Sequence, residues 1–293
     1  MMTREETIQY IRQQPEYHTL VQQAYLDQDL VKNVETFRSS PEWIETLRLL
    51  KKYITRMKNV LDIGSGNGIT AVAFALEGYT VHCLEPDPSD TVGSGAIRWL
   101  KDHYQLDQLT IHEGFAEELA LPDQTFDLVY ARQCMHHARD LGQFVQAAAR
   151  VLRPEGIFFT ARDHVIFDEK DKKLFLSSHP LQKFYGGENA FTSKAYEKAM
   201  QSANLVVKKK FPYYSSLINY APLSKEDIDQ IPQRQTLQRT VSLKKKIGKI
   251  ASLPLIQSIY ETYWQFRVGD PYSEKLVPGR MYTYIAQKKT FNQ

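Results

Sequence analysis

Apolar and polar positions divide the 293-residue chain into three regimes. Residues 3–57 carry helical spacing in TIQYIRQQ and PEWIETLRLLKKYI, where Ser40 is placed to cap and Pro41 takes the first helical position. From 59 to 161, short β-type runs alternate with helical ones: NVLDI, ITAVAFALEG, VHCLE, GAIRWLKDHY, LTIHEG, FDLVYA, LGQFVQAAARVL and GIFFTA. That alternation predicts a parallel sheet with crossover helices on both faces. Residues 163–192 lack a clear period and read as an insertion; a helix, SKAYEKAMQSA, and a strand, LVVKKKFPYY, follow. Residues 222–277 read as helical, with Ser224 and Asp227 as a capping box, and GRMYTYIAQKK closes the chain as a terminal strand.

The expected fold class is therefore α/β: a Rossmann-like, seven-stranded, mostly parallel sheet with helices on both faces. N-terminal helices precede the sheet, and a helical insertion precedes its last strand. The boundaries read as an N-terminal helical cap over 1–58, a sheet domain over 59–215 and 279–293, and an inserted helical lid or substrate segment over 216–278.

Composition narrows the classes without naming one. Hydrophobic residues at 42% and charged residues at 24% are ordinary for a globular chain. No uncharged apolar run of about 18 residues is present to span a bilayer. The N-terminal stretch MMTREETIQYIRQQPEY has no apolar signal core, and Cys83 and Cys134 lie in apolar surroundings far apart in sequence. These features lead us to expect a reducing cytoplasm. A net charge of +3 is too small to imply nucleic acid, and no nucleic-acid partner is expected. The basic residues between Arg234 and Lys249 are locally unbalanced.

Residues 60–87, VLDIGSGNGITAVAFALEGYTVHCLEPD, concentrate the chemistry. A strand ending at Asp62 and turning straight into a helix presents backbone N–H groups, and glycines let a ligand approach them. Gly64, Gly66 and Gly68 stand at every second position, whereas a dinucleotide loop requires G-x-G-x-x-G; here Ile69 takes the third glycine's place. A phosphate loop ending in G-K-[ST] is absent as well.

The stretch resembles the first motif of class I S-adenosylmethionine-dependent methyltransferases, of the Methyltransferase-11 and UbiE-like kind. In that resemblance Asp62, Gly64, Ser65, Gly66 and Gly68 hold the methionine part of the cofactor. Glu85, followed by Pro86, matches the acid that accepts hydrogen bonds from the ribose hydroxyls. The run EGFAEELALPDQTFDLVYARQCMHH matches the adenine-binding stretch, with Phe115 in place of a common aspartate and Ala116 and Glu117 at the base edge. AARVLRPEGIFFTARD matches the turn into the fifth strand, with Glu155 replacing a glycine. Arg132 and Gln133, after strand four, are added to the cofactor set. The resemblance covers residues 59–162, and it implies S-adenosylmethionine as cofactor and S-adenosylhomocysteine as product.

Methyl transfer needs alignment and, for a hydroxyl, a base, which should project from the carboxyl ends of strands four and five. His164 is the chosen base, with Asp163 as neighbour or alternative. His136 and His137 are read as structural, and Cys134 as a small buried hydrophobe. Asp163, His164 and His179 have no metal-ligand spacing, and no metal is expected. The place of an [DN]-P-P-[YF] signature holds ARQC, which argues against nucleic-acid and glutamine substrates.

The expected acceptor is a small molecule or glycan, methylated at oxygen. N- or C-methylation of a metabolite, and a cofactor-binding regulator without catalysis, are the alternatives. GGENAF, with Gly186, Gly187, Glu188 and Asn189, reads as a lid or an ordinary turn. Lys244, Lys245, Lys246 and Lys249 precede a stripe of Ile256, Ile259, Tyr260, Tyr263 and Trp264. That segment reads first as a packed lid helix and second as a peripheral contact with an anionic membrane. The oligomeric state is left open.

Overall fold

A computed structural model describes residues 2–290 apart from 269 and 271; the side chains of 235, 236, 238, 239, 249, 252, 265, 267, 268 and 276 lie outside it, that of Lys249 among them. The chain forms two compact units, residues 1–222 with 279–293 and residues 223–278.

The first unit opens with four helices, α1 (Arg4–Arg12), α2 (His18–Gln23), α3 (Leu30–Arg38) and α4 (Pro41–Tyr53). Ser40 accepts the Trp43 N–H as the cap of α4, and Pro41 follows it, as the sequence predicts. Then come β1 (Asn59–Ile63), α5 (Ile69–Leu76), β2 (Thr80–Leu84), α6 (Ser94–Tyr104), β3 (Leu109–His112), β4 (Phe126–Arg132), α7 (Leu141–Val151) and β5 (Leu152–Ile166). After these run α8 (Glu169–Ser178), β6 (Phe191–Thr192), α9 (Ser193–Ser202), β7 (Leu205–Phe211) and α10 (Leu217–Tyr220). The second unit holds α11 (Lys225–Asp229), capped by the Ser224–Asp227 box, α12 (Ile231–Ile247) and α13 (Pro254–Val268). The chain then returns to the sheet as β8 (Met281–Lys288).

The strand order is β3-β2-β1-β4-β5-β8-β7; β8 runs antiparallel to both β5 and β7, and the other pairs are parallel. The expected seven strands become eight because residues 191–192 form a two-residue bridge, β6, beside the end of β5. So short a pairing leaves no period-two signal to read. Central strands are buried on both faces, which is why they read as unbroken apolar runs. Val60 and Phe159 face a core with Phe37, Trp43 and Phe74, while Leu61 and Phe158 face a core with Phe144 and Tyr196.

Three boundaries differ from the sequence reading. The N-terminal helices belong to the first unit, because Phe37 and Trp43 pack into its core. The inserted unit begins at 223 instead of 216, because the Asn219 amide of α10 bonds the Phe211 carbonyl at 2.8 Å and accepts the Thr283 hydroxyl at 2.6 Å. Strand five continues to Ile166 instead of ending near Ala161, so Asp163 and His164 lie within it. A register irregularity between Thr160 and Asp163, with Arg162 at φ 61°, re-aims these side chains.

A buried ionic network joins α4 to the strand ends. Glu42, 1% exposed, takes Arg132 through two hydrogen bonds of 2.6 and 3.0 Å and lies 3.5 Å from Arg162. Arg162 donates onward to the carbonyls of Ile218 and Ala221, both at 2.8 Å. Burial alone would raise the Glu42 carboxyl; the two guanidiniums outweigh it and hold it below its usual range. Glu42→Ala would leave two buried cations short of their counter-charge. We expect it to lower the unfolding free energy by about 3–5 kcal/mol in urea titration; a loss below about 1 kcal/mol would show the network to be dispensable.

Candidate functional site

The turn after β1 lies where strand order reverses between β1 and β4, the place where open α/β sheets form a crevice. Gly64, at φ 68°, is forced: a Cβ there would stand 2.2 Å from the Cys134 Sγ. The Gly66 N–H donates to Glu85 at 2.6 Å, locking the turn to the end of β2. Gly68, at φ 87°, precedes α5 and packs on α6, where a Cβ would stand 2.9 Å from Ile97. It serves helix packing and is set back from the crevice. Asp62, expected beside the cofactor, is also set back and 1% exposed, with one carboxylate oxygen accepting the Thr70 hydroxyl at 2.5 Å. Its other oxygen has no hydrogen-bond partner, and burial pushes the carboxyl up to about 7.

Two cavities open from this turn. One, of about 260 Å³, is lined by Gly64, Glu85, Pro86, Phe115, Ala116, Glu117 and Gln133. Glu85 is 3% exposed, its carboxyl raised by burial against the pull of Arg4, whose guanidinium lies 3.8 Å away. Arg4 belongs to α1, which Thr3 and Glu6 cap reciprocally and which Glu5 ties to Thr91 at 2.9 Å. Phe115 is half-open, with the Arg139 guanidinium 3.9 Å over its ring. The Glu117 carboxylate is engaged by the Arg139 N–H at 2.8 Å.

The second cavity, about 200 Å³, takes Ser65, Gly66, Arg132, His136, His164, His179 and Glu188, and shares Arg4, Gly64, Gln133, His137 and Tyr185 with the first. Arg132 reaches it from the Glu42 network, its guanidinium 5.4 Å from each of the adjoining Tyr25 and Phe37 rings. Cys134 lines only the first cavity, and burial pushes its thiol well up, as suits an inert packing residue.

Asp163 and His164 are adjacent in sequence but divide their work. Asp163 is fully buried; its Oδ1 accepts the His136 backbone N–H at 3.1 Å and lies 3.1 Å from Nδ1 of the same ring. Burial pushes its carboxyl up to about 7. It touches the second cavity only through His136, contrary to the expectation that it stands at the rim. His164, 8% exposed, lines that cavity, with Nδ1 2.8 Å from the Gly279 carbonyl. A carbonyl only accepts, so Nδ1 carries the proton and Nε2 keeps its lone pair. His136 and His137, expected to be structural, are cavity residues. The sequence held the signal in their adjacency after β4, facing Glu188 in GGENAF.

Residues 61–160 match the model of the family described as "Methyltransferase domain". Residues 61–160 thus form a methyltransferase domain. The Bacillus subtilis protein named "Uncharacterized methyltransferase YcgJ" is 32% identical over 137 residues, 45% of this chain and 53% of that protein. Its crystal structure superimposes with TM-score 0.51 at 17% identity over 83% of this chain and 97% of that one. A ubiquinone biosynthesis O-methyltransferase of Rhizobium etli is 30% identical over 48% of this chain and 51% of that protein. The match thus spans about half the length of these curated relatives. A Haemonchus contortus phosphoethanolamine N-methyltransferase 2, solved with S-adenosylhomocysteine, aligns at TM-score 0.51 and 19% identity over 92% of this chain and 60% of that one.

The methyltransferase domain accommodates the family's cofactor chemically. The first cavity offers a buried carboxylate at Glu85, among its lining residues, for a diol, an aromatic face at Phe115, and the backbone of Gly64, where only a glycine fits. Burial favours the neutral form of three imidazoles of the second cavity: it lowers His136 well below its ordinary value, brings His164 down to about 3 and lowers His179. For His164 the folded value lies below the ordinary 6.5, so its contribution to stability is complete above pH 6.5 and is lost as pH falls towards 3. Urea midpoints of the wild type should therefore decline through that window, and His164→Gln should decline less steeply. Equal slopes would overturn the assignment.

Proposed function

We propose that the protein is an S-adenosylmethionine-dependent methyltransferase acting on the oxygen of a small-molecule or glycan-type acceptor. The observation that carries this reading is the pair of cavities meeting at Gly64, Gln133, His137 and Tyr185: one suits the cofactor, and the other is small and lined by a cluster of histidines, Glu188 and Arg132 beside apolar side chains. Gly64, Glu85, Pro86, Phe115, Ala116, Glu117 and Gln133 of the first cavity are proposed to hold the cofactor, together with Ser65 and Gly66 on the adjoining part of the turn, with Asp62 and Gly68 shaping the turn from behind. Arg132 braces the wall that the acceptor meets. The cofactor supplies a methyl group on a positively charged sulfur, and displacement joins it to the acceptor oxygen and leaves neutral S-adenosylhomocysteine.

His164 is proposed as proton acceptor, with its Nε2 lone pair available and Nδ1 anchored on Gly279. A hydroxyl becomes strongly acidic as its oxygen gains the methyl, so a weakly basic buried imidazole suffices for a late transfer. Asp163 acts as a positioning residue through His136. Oxygen as the methylated atom accords with the O-methyltransferase named among the relatives.

Labelled S-adenosylmethionine incubated with host extract should pass label to small-molecule or glycan fractions. Glu85→Ala should weaken S-adenosylhomocysteine binding by about 10- to 100-fold in calorimetry, the worth of a hydrogen bond to a charged group. Cofactor binding without transfer to any fraction would leave a regulatory protein instead.

A second reading concerns the 223–278 unit. Lys244, Lys245 and Lys246 are exposed, as are Ile250, Leu253, Leu255, Ile259 and Phe266, the last at 94%. So many open apolar side chains beside a basic run favour peripheral contact with an anionic bilayer over a lid helix with a closed apolar stripe. No helix among the described residues is long and apolar enough to cross a membrane. The protein should co-sediment with phosphatidylserine vesicles at low salt, and Lys244→Glu with Lys245→Glu should abolish this. Equal recovery with neutral vesicles would refute it.

A further inference from the structure

The second cavity contains more nitrogen donors than proton acceptance requires. Nε2 of His136 and Nε2 of His137 each lie 4.0 Å from the same oxygen, Glu188 Oε2, and the three donor atoms fall within 4.8 Å of one another. Each ring is held from behind. His136 Nδ1 meets the Asp163 carboxylate at 3.1 Å, and His137 Nδ1 meets the Gly187 carbonyl at 3.2 Å. Backing oxygens of this kind fix the proton on Nδ1 and present an unprotonated Nε2, which is how outer-shell carboxylates and carbonyls prepare histidines for metals. Glu188 is held too: its Oε1 accepts the Tyr185 hydroxyl at 2.9 Å, and its N–H donates to Gln182 at 3.0 Å. A fourth donor, His179 Nδ1, is buried with no hydrogen-bond partner, 3.6 Å from Glu188 Oε1. Three prepared donors and an unsatisfied fourth surround one small volume.

The geometry points to a divalent transition-metal site formed by His136, His137 and Glu188, with His179 as a further ligand. Two or three imidazoles and one carboxylate suit Zn²⁺, Co²⁺, Mn²⁺ or Fe²⁺ and do not suit the all-oxygen shells of Ca²⁺ or Mg²⁺. Bond lengths of about 2.0–2.2 Å require the donors to close by a few tenths of an ångström around one ion. That motion is available to His137, which is 40% exposed, and to Glu188, which is carried on the connection between α8 and β6.

His137 also lines the first cavity, so an ion here stands between the proposed cofactor and acceptor spaces. Resting on the methyl-transfer reading, this narrows the acceptor class. An ion with only three or four protein ligands keeps open positions, which fit an acceptor offering two adjacent oxygens: a vicinal diol, a catechol or a hydroxy acid. The ion would bind the reacting hydroxyl and make its proton more acidic, leaving His164 to take it.

The test uses the full-length protein without an affinity tag, stripped by chelator and titrated with Co²⁺. One equivalent should bind, with visible d–d absorption of mixed nitrogen and oxygen ligation. His137→Ala and Glu188→Gln should each weaken Co²⁺ binding at least 100-fold, while His103→Ala, a surface control outside both cavities, should leave it unchanged. Melting temperatures within a few degrees of wild type would show that the variants fold. Absence of stoichiometric Co²⁺ binding, or binding that survives both substitutions, would overturn the site. S-adenosylhomocysteine calorimetry on the stripped protein separates the two ideas: cofactor binding with no metal site leaves the methyltransferase reading standing, whereas a metal site with no cofactor binding removes that reading alone.

Discussion

Glu42 between Arg132 and Arg162 is the interaction on which the site's architecture rests. Three charged groups are buried where α4 meets the ends of β4 and β5, and none is tolerable there without the others. Arg132 extends this brace into the wall of the second cavity, and Arg162 carries it to α10 through two carbonyls. The N-terminal helices, the strand ends and the start of the connection to the inserted unit are thereby fixed to one another. A hydrophobic contact could hold the same elements together, but charges with directional partners also set their register.

The sheet was legible because parallel strands buried on both faces leave continuous apolar runs, and crossover helices punctuate them. The glycine turn was legible because few ligands tolerate that spacing. Glu42 was not legible, since an acid in the first turn of a helix ordinarily caps or meets solvent, and its two arginines lie 90 and 120 residues away. Asp62 and Gly68 show the reverse error. Their place in the motif suggested contact with a ligand, whereas the structure gives Asp62 to Thr70 and Gly68 to Ile97, so they shape the turn from behind. Motif position reports that a residue matters to a loop, not which side of the loop it faces.

Strand five was misjudged at its end for a physical reason. Polar residues in ARDHVI look like the exit of a strand, yet here each polar group has a buried partner: Arg162 on Glu42, Asp163 on His136, His164 on Gly279. Pairing with β8 resumes beyond the irregularity at Arg162, which lets consecutive polar side chains point to different neighbours. Polar groups with buried partners inside a strand cannot be distinguished from exposed ones by hydropathy alone.

The same burial sets the chemistry of the second cavity. Removing imidazoles from water favours their neutral form, and fixing Nδ1 on a backing oxygen decides which nitrogen keeps its lone pair. Four histidines brought together in water would compete for protons. Here desolvation suppresses that competition for His136, His164 and His179 alike, and the Glu188 carboxylate faces nitrogens of His136, His137 and His179. A group of neutral donors of this kind is costly as packing, because lone pairs without donors or an ion remain unsatisfied; His179 Nδ1 already does. A cavity that served only to admit a small hydroxyl would need a single acceptor. The surplus is the physical reason to look for a second occupant beside the acceptor.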